Sequence, residues 1–216
     1  MILVKPSHKI EALTPHVLQH IEKAGRTCYK SGSKITPKSA EKFVGMIIKR
    51  GHESVIEHAS MTVRFICDRG VTHEIVRHRL VAYSQESTRY CNYKGGVIFV
   101  IPPWVDMEPG EYFKDTPLFH DYNVGTGIWF MQMIRAEDSY IALLLQNDWI
   151  PQQARSVLPN SLKTEIVCTA NLREWRHILK LRCSKAAHPQ MQELMKPLLK
   201  ELKIKVPIIF DDLGVI

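Results

Sequence analysis

A basic triplet followed by a dense polar stretch is the part of this sequence best suited to bind a ligand. Arg77, His78 and Arg79 lead into the polar or hydroxyl-bearing stretch 83–90, which contains two tyrosines. Arginine can donate two parallel hydrogen bonds to a phosphate or carboxylate, so the triplet favours anions. The alternative is a cationic helix end that leads into solvated chain. Because the stretch lies between apolar segments, we expect it to be ordered around a polar ligand.

Two further segments carry arginine in a setting that favours binding. Arg155 follows a turn that starts at a proline, within 154–159. In the segment 171–182, Arg173 and His177 are four residues apart, which places them on one face of a helix. The alternative for this helix is a solvated basic face above an apolar stripe.

A histidine- and glutamate-rich segment, 51–60, does not have the spacing of a metalloprotease site. Its histidines, His52 and His58, are six residues apart, whereas an HExxH motif needs them four apart on one helical face. We therefore expect no metal here. The segment is either a polar connection or a loop that offers His52 and Ser54 to a ligand.

Composition narrows the class of protein. The chain has 216 residues, of which 45% are hydrophobic and 24% charged, as in ordinary globular domains. No secretory signal and no membrane-spanning run is seen, and five cysteines without a CxxC pair favour a reducing cytoplasm. The formal charge of +7 indicates either anionic partners or a merely basic surface. Glycine-rich phosphate loops and the GxSxG nucleophile motif are absent.

The elements that must position these residues fit one α+β domain over 1–216. Thr14 is the predicted cap of the first helix, with Pro15 at its first position. The stretch 80–94 is predicted to be a loop, and 206–210 a small closing strand. Helices are predicted at 14–28, 36–50, 72–79, 128–147, 171–180 and 189–202, and further strands at 1–4, 60–67, 97–101 and 162–169. In the 128–147 helix, the residues expected to face the core are Ile128, Met131, Ile134, Ala142 and Leu145.

Taken together, these segments resemble the flavin-dependent thymidylate synthases, the ThyX family. The family motif RHRxxSxNxxSxR is matched by the 77–79 triplet, Ser87 and Arg89. Ala82 and Ser84 stand at its first Ser and its Asn, and Gln85 stands where the family often has Glu. The resemblance extends to 52–54, to Arg155 before Leu-Pro, and to 171–182, and so spans most of the chain.

The resemblance implies a fold, a reaction and an assembly. It implies a single α+β domain with a central, mostly antiparallel sheet flanked by helices. The reaction is reductive methylation of dUMP to dTMP, with methylenetetrahydrofolate as carbon donor, FAD as hydride carrier and NADPH as reductant. No metal, nucleic acid or membrane takes part, and no enzyme side chain becomes a covalent nucleophile. The assembly is a cytoplasmic homotetramer whose active sites are shared between subunits.

The resemblance also assigns ligand-binding residues by motif position. The residues implied for FAD are Ser54, Arg77, His78, Arg79, Gln85, Asn171, Arg173 and His177. The residues implied for dUMP are Glu74, Ile75, Val76, Arg77, Gln85, Glu86, Ser87, Thr88, Arg89, Arg155 and Arg182. Arg182 is the expected catalytic residue, since its charge can stabilise negative charge on the uracil ring. Arg155 is expected to serve the site of a neighbouring subunit.

Two other functions fit parts of the sequence. A nucleic-acid-binding protein would use the +7 charge, the basic 171–182 helix and stacking tyrosines, and would bind polynucleotides in a salt-sensitive way. A metal-dependent hydrolase would use His52, His58, His73 and His78, and would be sensitive to chelators. A flavin enzyme, by contrast, would be yellow.

Overall fold

The computed structural model describes residues 1–116 and 123–214. The elements follow the order β1 (Ile2–Val4), β2 (Ser7–Leu13), α1 (Val17–Thr27), α2 (Ser39–Lys49), β3 (Ser60–Asp68), α3 (Arg69–Ile75), β4 (Ala82–Gln85), β5 (Ile98–Val100), β6 (Gly110–Glu111), α4 (Val124–Gln146), α5 (Pro151–Ala154), β7 (Lys163–Asn171), α6 (Leu172–Arg182), α7 (Pro189–Lys205) and α8 (Pro207–Phe210). Short 3-10 helices occupy Gly32–Lys34, Glu53–His58 and Arg155–Val157. No helix among the described residues is long and apolar enough to cross a bilayer.

The strands form two sheets. One has the order β5-β1-β6, with β1 parallel to β5 and antiparallel to β6, and Leu3 lies opposite Phe99 in it. The other has the order β2-β3-β7-β4. Along β3 and β7, buried and partly exposed residues alternate, which is the period-two pattern that predicted both strands. The predicted α+β class with a mostly antiparallel sheet flanked by helices is confirmed.

The chain divides into two compact units. Unit 1 comprises Met1–Ser7, Phe65–Arg77 and Ser84–Ile166, and unit 2 comprises His8–Arg64, His78–Tyr83 and Val167–Ile216. The core of unit 1 is built around side chains such as Leu3, Phe99, Ile101, Phe130 and Tyr140. In unit 2, the buried side chains include Ile21, Phe43, Ile56, Trp175 and Leu199. The single domain over 1–216 stays a prediction.

Helix α6 is fixed at its N-terminal end by three hydrogen bonds of unit 2. The side-chain oxygen of Asn171 accepts from the backbone N–H of Glu174 at 2.9 Å, which is an N-cap. The backbone N–H of Leu172 donates to the Ala59 carbonyl at 2.9 Å. The indole of Trp175, 1% exposed, donates to the Met61 carbonyl at 2.9 Å. These bonds fix the orientation of α6, and so they also fix the direction in which its other side chains point.

The predicted start of α1 is wrong. The helix begins at Val17, and its cap is His16 in a left-handed conformation (φ 46°). Thr14 instead pairs with Ser60, because its hydroxyl oxygen accepts from the Ser60 N–H at 2.9 Å. Strand β2 lies directly before it and was not predicted, since apolar residues do not alternate regularly along its sequence and none of its residues is fully buried.

Three other predictions about elements are corrected. The segment 80–94 is not all loop, because β4 lies within it and neighbours β7 in the four-stranded sheet. The predicted strand 206–210 is the helix α8, with Pro207 at a position that favours helix initiation. Helix α4 begins at Val124, and Ile128, Met131 and Leu145 on it are exposed rather than in the core.

Candidate active site

A cleft of about 840 Å³ opens in unit 2. One side is formed by α6 and another by the 3-10 helix Glu53–His58, with the segment 212–214 and Leu80 completing it. Acidic and basic side chains both line it. The lining residues are Glu53, Glu57, Leu80, Asn171, Arg173, Glu174, Arg176, His177, Lys180, Asp212, Leu213 and Gly214.

Helix α6 presents hydrogen-bond donors to this cleft at helical spacing. Arg173, His177 and Lys180 recur at intervals of four and three residues and are exposed. Arg173 Nη1 donates to Glu57 Oε1 at 2.6 Å, and both side chains are open to solvent. An exposed pair of this kind is easily exchanged for a ligand, because water already screens it.

Next to these residues, His78 is buried and linked to Arg182. Arg182 Nε donates to His78 Nε2 at 3.0 Å, so the proton of the neutral imidazole is on Nδ1. That Nδ1 lies 3.6 Å from Glu174 Oε1, and the His177 ring packs edge-on at 5.9 Å between centroids. Burial, and then the charges of Arg182 and His177, lower the pKa of His78 to about 4. His78 is therefore neutral at pH 7, and its approach to Glu174 is not an ion pair.

Arg176 points away from solvent and joins three segments. Its Nε donates to Glu53 Oε1 at 3.0 Å, and its two Nη atoms donate to Asp212 Oδ1 and Oδ2 at 2.7 Å each. Nη1 also donates to the carbonyl of Ile209. Although burial opposes it, hydrogen bonding to Asp212 and Glu53 raises the pKa of Arg176, and the same contact lowers the pKa of Asp212.

The segment 85–89 lies in unit 1 and is held by polar contacts. Gln85 Nε2 donates to the hydroxyl oxygens of Thr72 at 3.1 Å and Thr164 at 3.4 Å. Thr88 is buried, and its hydroxyl oxygen accepts from Arg155 Nη1 at 3.1 Å. Thus Arg155 contacts the polar segment that the family motif singles out, although it lies 67 residues after Thr88 in the chain.

Glu86 is enclosed in a network of its own. Tyr93 donates its hydroxyl to Oε1 at 2.6 Å, and Lys163 Nζ donates to Oε2 at 3.1 Å and to Glu165 Oε1 at 2.8 Å. Burial and the hydrogen bond to Glu86 raise the pKa of Tyr93. Burial opposes the charge of Lys163, yet hydrogen bonding to Glu165 and Glu86 raises its pKa. Both oxygens of Glu86 are therefore already engaged within the chain.

The predicted site residues fall into two groups. In unit 2, His78, Asn171, Arg173, His177 and Arg182 lie at or beside the cleft, while Ser54 and Arg79 are exposed and do not line it. In unit 1 lie Glu74, Ile75, Val76, Arg77, Gln85, Glu86, Ser87, Thr88, Arg89 and Arg155, of which Ile75 and Thr88 are buried.

Sequence reasoning missed several residues of the cleft. Lys180 continues the spacing of Arg173 and His177, so the helical pattern could have found it. Glu53 belongs to the histidine- and glutamate-rich segment that drew attention through Ser54. Asp212 carries no local signal, because its role depends on Arg176, which lies 36 residues earlier.

The four-histidine metal site does not form within the described ranges 1–116 and 123–214. The group there whose donor atoms lie close enough for one ion is His78, Glu174 and His177, within 4.8 Å of one another. It shares only His78 with the hydrolase hypothesis. In addition, His78 Nε2 already accepts a hydrogen bond from Arg182.

Comparison with known proteins covers almost the whole chain. Residues 9–208 match the family described as "Thymidylate synthase complementing protein". A "Flavin-dependent thymidylate synthase" of Mycobacteroides abscessus is 35% identical over 202 residues, which cover 90% of this chain and 79% of that protein. One from Mycobacterium avium is 36% identical over 196 residues, covering 89% and 78%.

Solved structures share the fold. Thymidylate Synthase X from Helicobacter pylori, solved with FAD and dUMP, superposes with a TM-score of 0.73 at 23% identity, covering 96% of this chain and 98% of that one. A second structure of the same Helicobacter pylori enzyme, also complexed with FAD and dUMP, gives a TM-score of 0.75.

Proposed function

The chain belongs to the flavin-dependent thymidylate synthase family, and from that premise we propose that it makes dTMP from dUMP. Methylenetetrahydrofolate donates the carbon, FAD carries the hydride and NADPH is the reductant. One observation carries the proposal. Asn171, Arg173 and His177 line one cleft, and beside it Arg182 donates a hydrogen bond to His78.

The cleft fits a flavin dinucleotide in size and in donor chemistry. Sites for cofactors typically measure roughly 300–1,000 Å³, and this cleft falls within that range at about 840 Å³. Arg173, Lys180 and the amide of Asn171 offer donors to phosphate and ring oxygens. Asn171, Arg173 and His177 would hold the flavin. When bound, FAD supplies the hydride-transfer chemistry that no side chain provides.

The nucleotide is proposed to bind through the residues of the polar segment and the arginines. Ser87 and Arg89 donate to its phosphate, together with Arg155 from a neighbouring subunit. Arg182 stabilises negative charge on the uracil ring. The acceptor His78 orients the Arg182 guanidinium, and because that imidazole is neutral it adds no competing charge.

The reaction is proposed to proceed without a covalent enzyme nucleophile. A thiolate, not a thiol, is the reactive form of cysteine. Burial raises the pKa of the Cys168 thiol to about 12 and of the Cys183 thiol to about 11, so both are protonated at neutral pH. These two thiols are therefore poor nucleophiles, in support of the proposal.

The assembly is proposed to be a cytoplasmic homotetramer, each subunit being one catalytic domain over 1–216. Arg155 is exposed, which suits an arginine that serves a neighbouring subunit's site. Its contact with Thr88 within the chain gives it a defined starting position.

A visible absorption spectrum tests the proposed function. Purified protein should carry or take up FAD, be yellow, and show a flavin spectrum that dUMP perturbs. With FAD, NADPH and methylenetetrahydrofolate present it should form dTMP, and omission of any one should stop product formation. Protein that takes up no FAD contradicts the proposal. Colourless protein with salt-sensitive polynucleotide binding would support the nucleic-acid hypothesis, and stoichiometric metal with chelator sensitivity would support the hydrolase.

A further inference from the structure

The segment 209–214 forms one side of the cleft, although it lies after residues 9–208, which the family match covers. Asp212, Leu213 and Gly214 line the cleft, and Leu213 is buried. The segment therefore adds a wall to a cleft whose other sides come from the matched region. We refer to 209–214 as the clasp segment.

Arg176 holds the clasp segment through charged hydrogen bonds. The Asp212 carboxylate accepts from both Nη atoms, and the Ile209 carbonyl accepts from Nη1. The remaining bond, from Nε, goes to Glu53 on another side of the same cleft. A bidentate arginine–carboxylate pair fixes distance and angle together, so a single guanidinium sets how these two sides stand relative to α6.

The hydrogen-bond donors of Arg176 are consequently taken up by groups of the protein, in contrast to those of Arg173. A guanidinium has five N–H donors, and four hydrogen bonds from Arg176 go to Glu53, Asp212 and Ile209. Its side chain is only 7% exposed. Arg173, one turn earlier, is exposed and has an exposed partner, Glu57. Arg173 is thus suited to bind a ligand and Arg176 to support the cleft.

We propose that the clasp segment sets the affinity of the cleft for the flavin, and that Arg176 is the positioning residue that holds it in place. The inference rests on the proposed function, which puts the flavin in this cleft. A wall held in place before the ligand arrives lowers the ordering cost of binding, so releasing this wall weakens binding.

The experiment compares Asp212→Ala and Asp212→Asn with the matched control Asp211→Asn. Asp211 is the adjacent carboxylate, is exposed and does not line the cleft. FAD affinity of each apoprotein is titrated by flavin fluorescence, well below each melting temperature. We expect Asp212→Ala to raise the Kd for FAD about tenfold, Asp212→Asn to raise it less, and Asp211→Asn to leave it unchanged. Excess FAD should recover the turnover lost in Asp212→Ala.

The possible outcomes separate this inference from the proposed function. If wild-type protein takes up FAD and Asp212→Ala binds it as tightly as Asp211→Asn does, the inference about the clasp segment is overturned. The proposed function then stands. Turnover that stays low in Asp212→Ala at saturating FAD would also overturn it. If wild-type protein takes up no FAD, the proposed function itself fails. Should Asp212→Ala not fold, Asp212→Asn and Arg176→Lys carry the same comparison.

Discussion

The two units use charged side chains in different ways. In unit 2, three arginines of one helix have three environments: Arg173 is exposed beside Glu57, Arg176 is buried among acceptors, and Arg182 donates to a neutral histidine. In unit 1, Glu86 and Lys163 satisfy each other inside a compact network. The difference teaches that the presence of an arginine in a motif does not say whether it is available to a ligand.

Replacing Arg182 should have the largest effect, because it tests whether the histidine-bound arginine is the catalytic one. Arg182→Ala is expected to lower dUMP-dependent flavin oxidation by on the order of 100- to 1,000-fold, the usual loss for a pre-positioned electrostatic group. Circular dichroism should show an intact fold. Lys185→Ala, at an exposed lysine nearby, serves as control. Full activity of Arg182→Ala would remove this residue from the mechanism.

Acid should destabilise unit 2 through His78. Its folded-state pKa, about 4, lies below the ordinary value of 6.5, so the unfolded chain binds the proton more readily. The free energy of unfolding that His78 contributes is complete above about pH 6.5 and is lost as pH falls toward 4, on the order of 3 kcal/mol in all. Urea denaturation across this range should show a flatter pH dependence for His78→Gln. Replacement of the exposed His73 by Gln should leave the wild-type slope, and an equal slope in both variants would contradict the assignment.

Replacing Arg176 and replacing Arg173 should have different effects on the free energy of unfolding. Arg176→Ala is expected to cost about 2–3 kcal/mol, less than for a fully buried pair because the Asp212 carboxylate is half exposed. Arg173→Ala should weaken FAD binding while leaving stability unchanged. Chemical denaturation and FAD titration measure the two effects. A comparable loss of stability in both variants would mean that Arg173 and Arg176 both support the fold. That result would contradict the distinction between an exposed, ligand-binding Arg173 and a buried, supporting Arg176.

Lys163 tests the network in unit 1. Lys163→Met leaves the Oε2 of Glu86 without its cationic partner, and should cost about 1–2 kcal/mol of unfolding free energy. Lys94→Met, at an exposed lysine, should be neutral. A neutral Lys163→Met would show that Glu86 is supported by Tyr93 alone.

Ser87 should give the smallest effect. Ser87→Ala removes one hydroxyl, worth about 1 kcal/mol, and should weaken dUMP binding about fivefold while turnover at saturating dUMP persists. Isothermal titration calorimetry measures dUMP binding, and steady-state kinetics measures turnover. Complete loss of turnover with intact binding would instead make Ser87 a nucleophile.

The sequence predicted elements well wherever one face is buried by a simple period. Met61, Val63, Phe65 and Cys67 alternate along β3, and all four are buried. It failed where pairing with a distant strand decides the conformation. The residues of β4 are mostly polar, and they become a strand because β7 lies beside them in the sheet. In the 206–210 tail, an apolar run was ambiguous between strand and helix, and Pro207 favoured the helix.

For the site, helical spacing was enough to bring Arg173 and His177 together, since both belong to α6. Motif order could not show that Arg182 donates to His78, which lies 104 residues earlier. Nor could it identify Asp212 and Glu53 as the acids that occupy Arg176. Charge pairing of this kind depends on tertiary structure, which no local pattern encodes.

Trp175 gives the protein a built-in optical reporter. It sits on the buried side of the helix whose other side lines the cleft, and its indole is anchored to Met61. Trp104 and Trp149 are exposed and Trp129 is partly buried, whereas the fully buried indole of Trp175 emits at shorter wavelength than an indole in water. Flavins absorb light in the region where tryptophan emits, so arrival of the cofactor should quench this emission. Tryptophan fluorescence can thus follow both the binding of the cofactor and the packing of α6 around Trp175 in one sample without an added label.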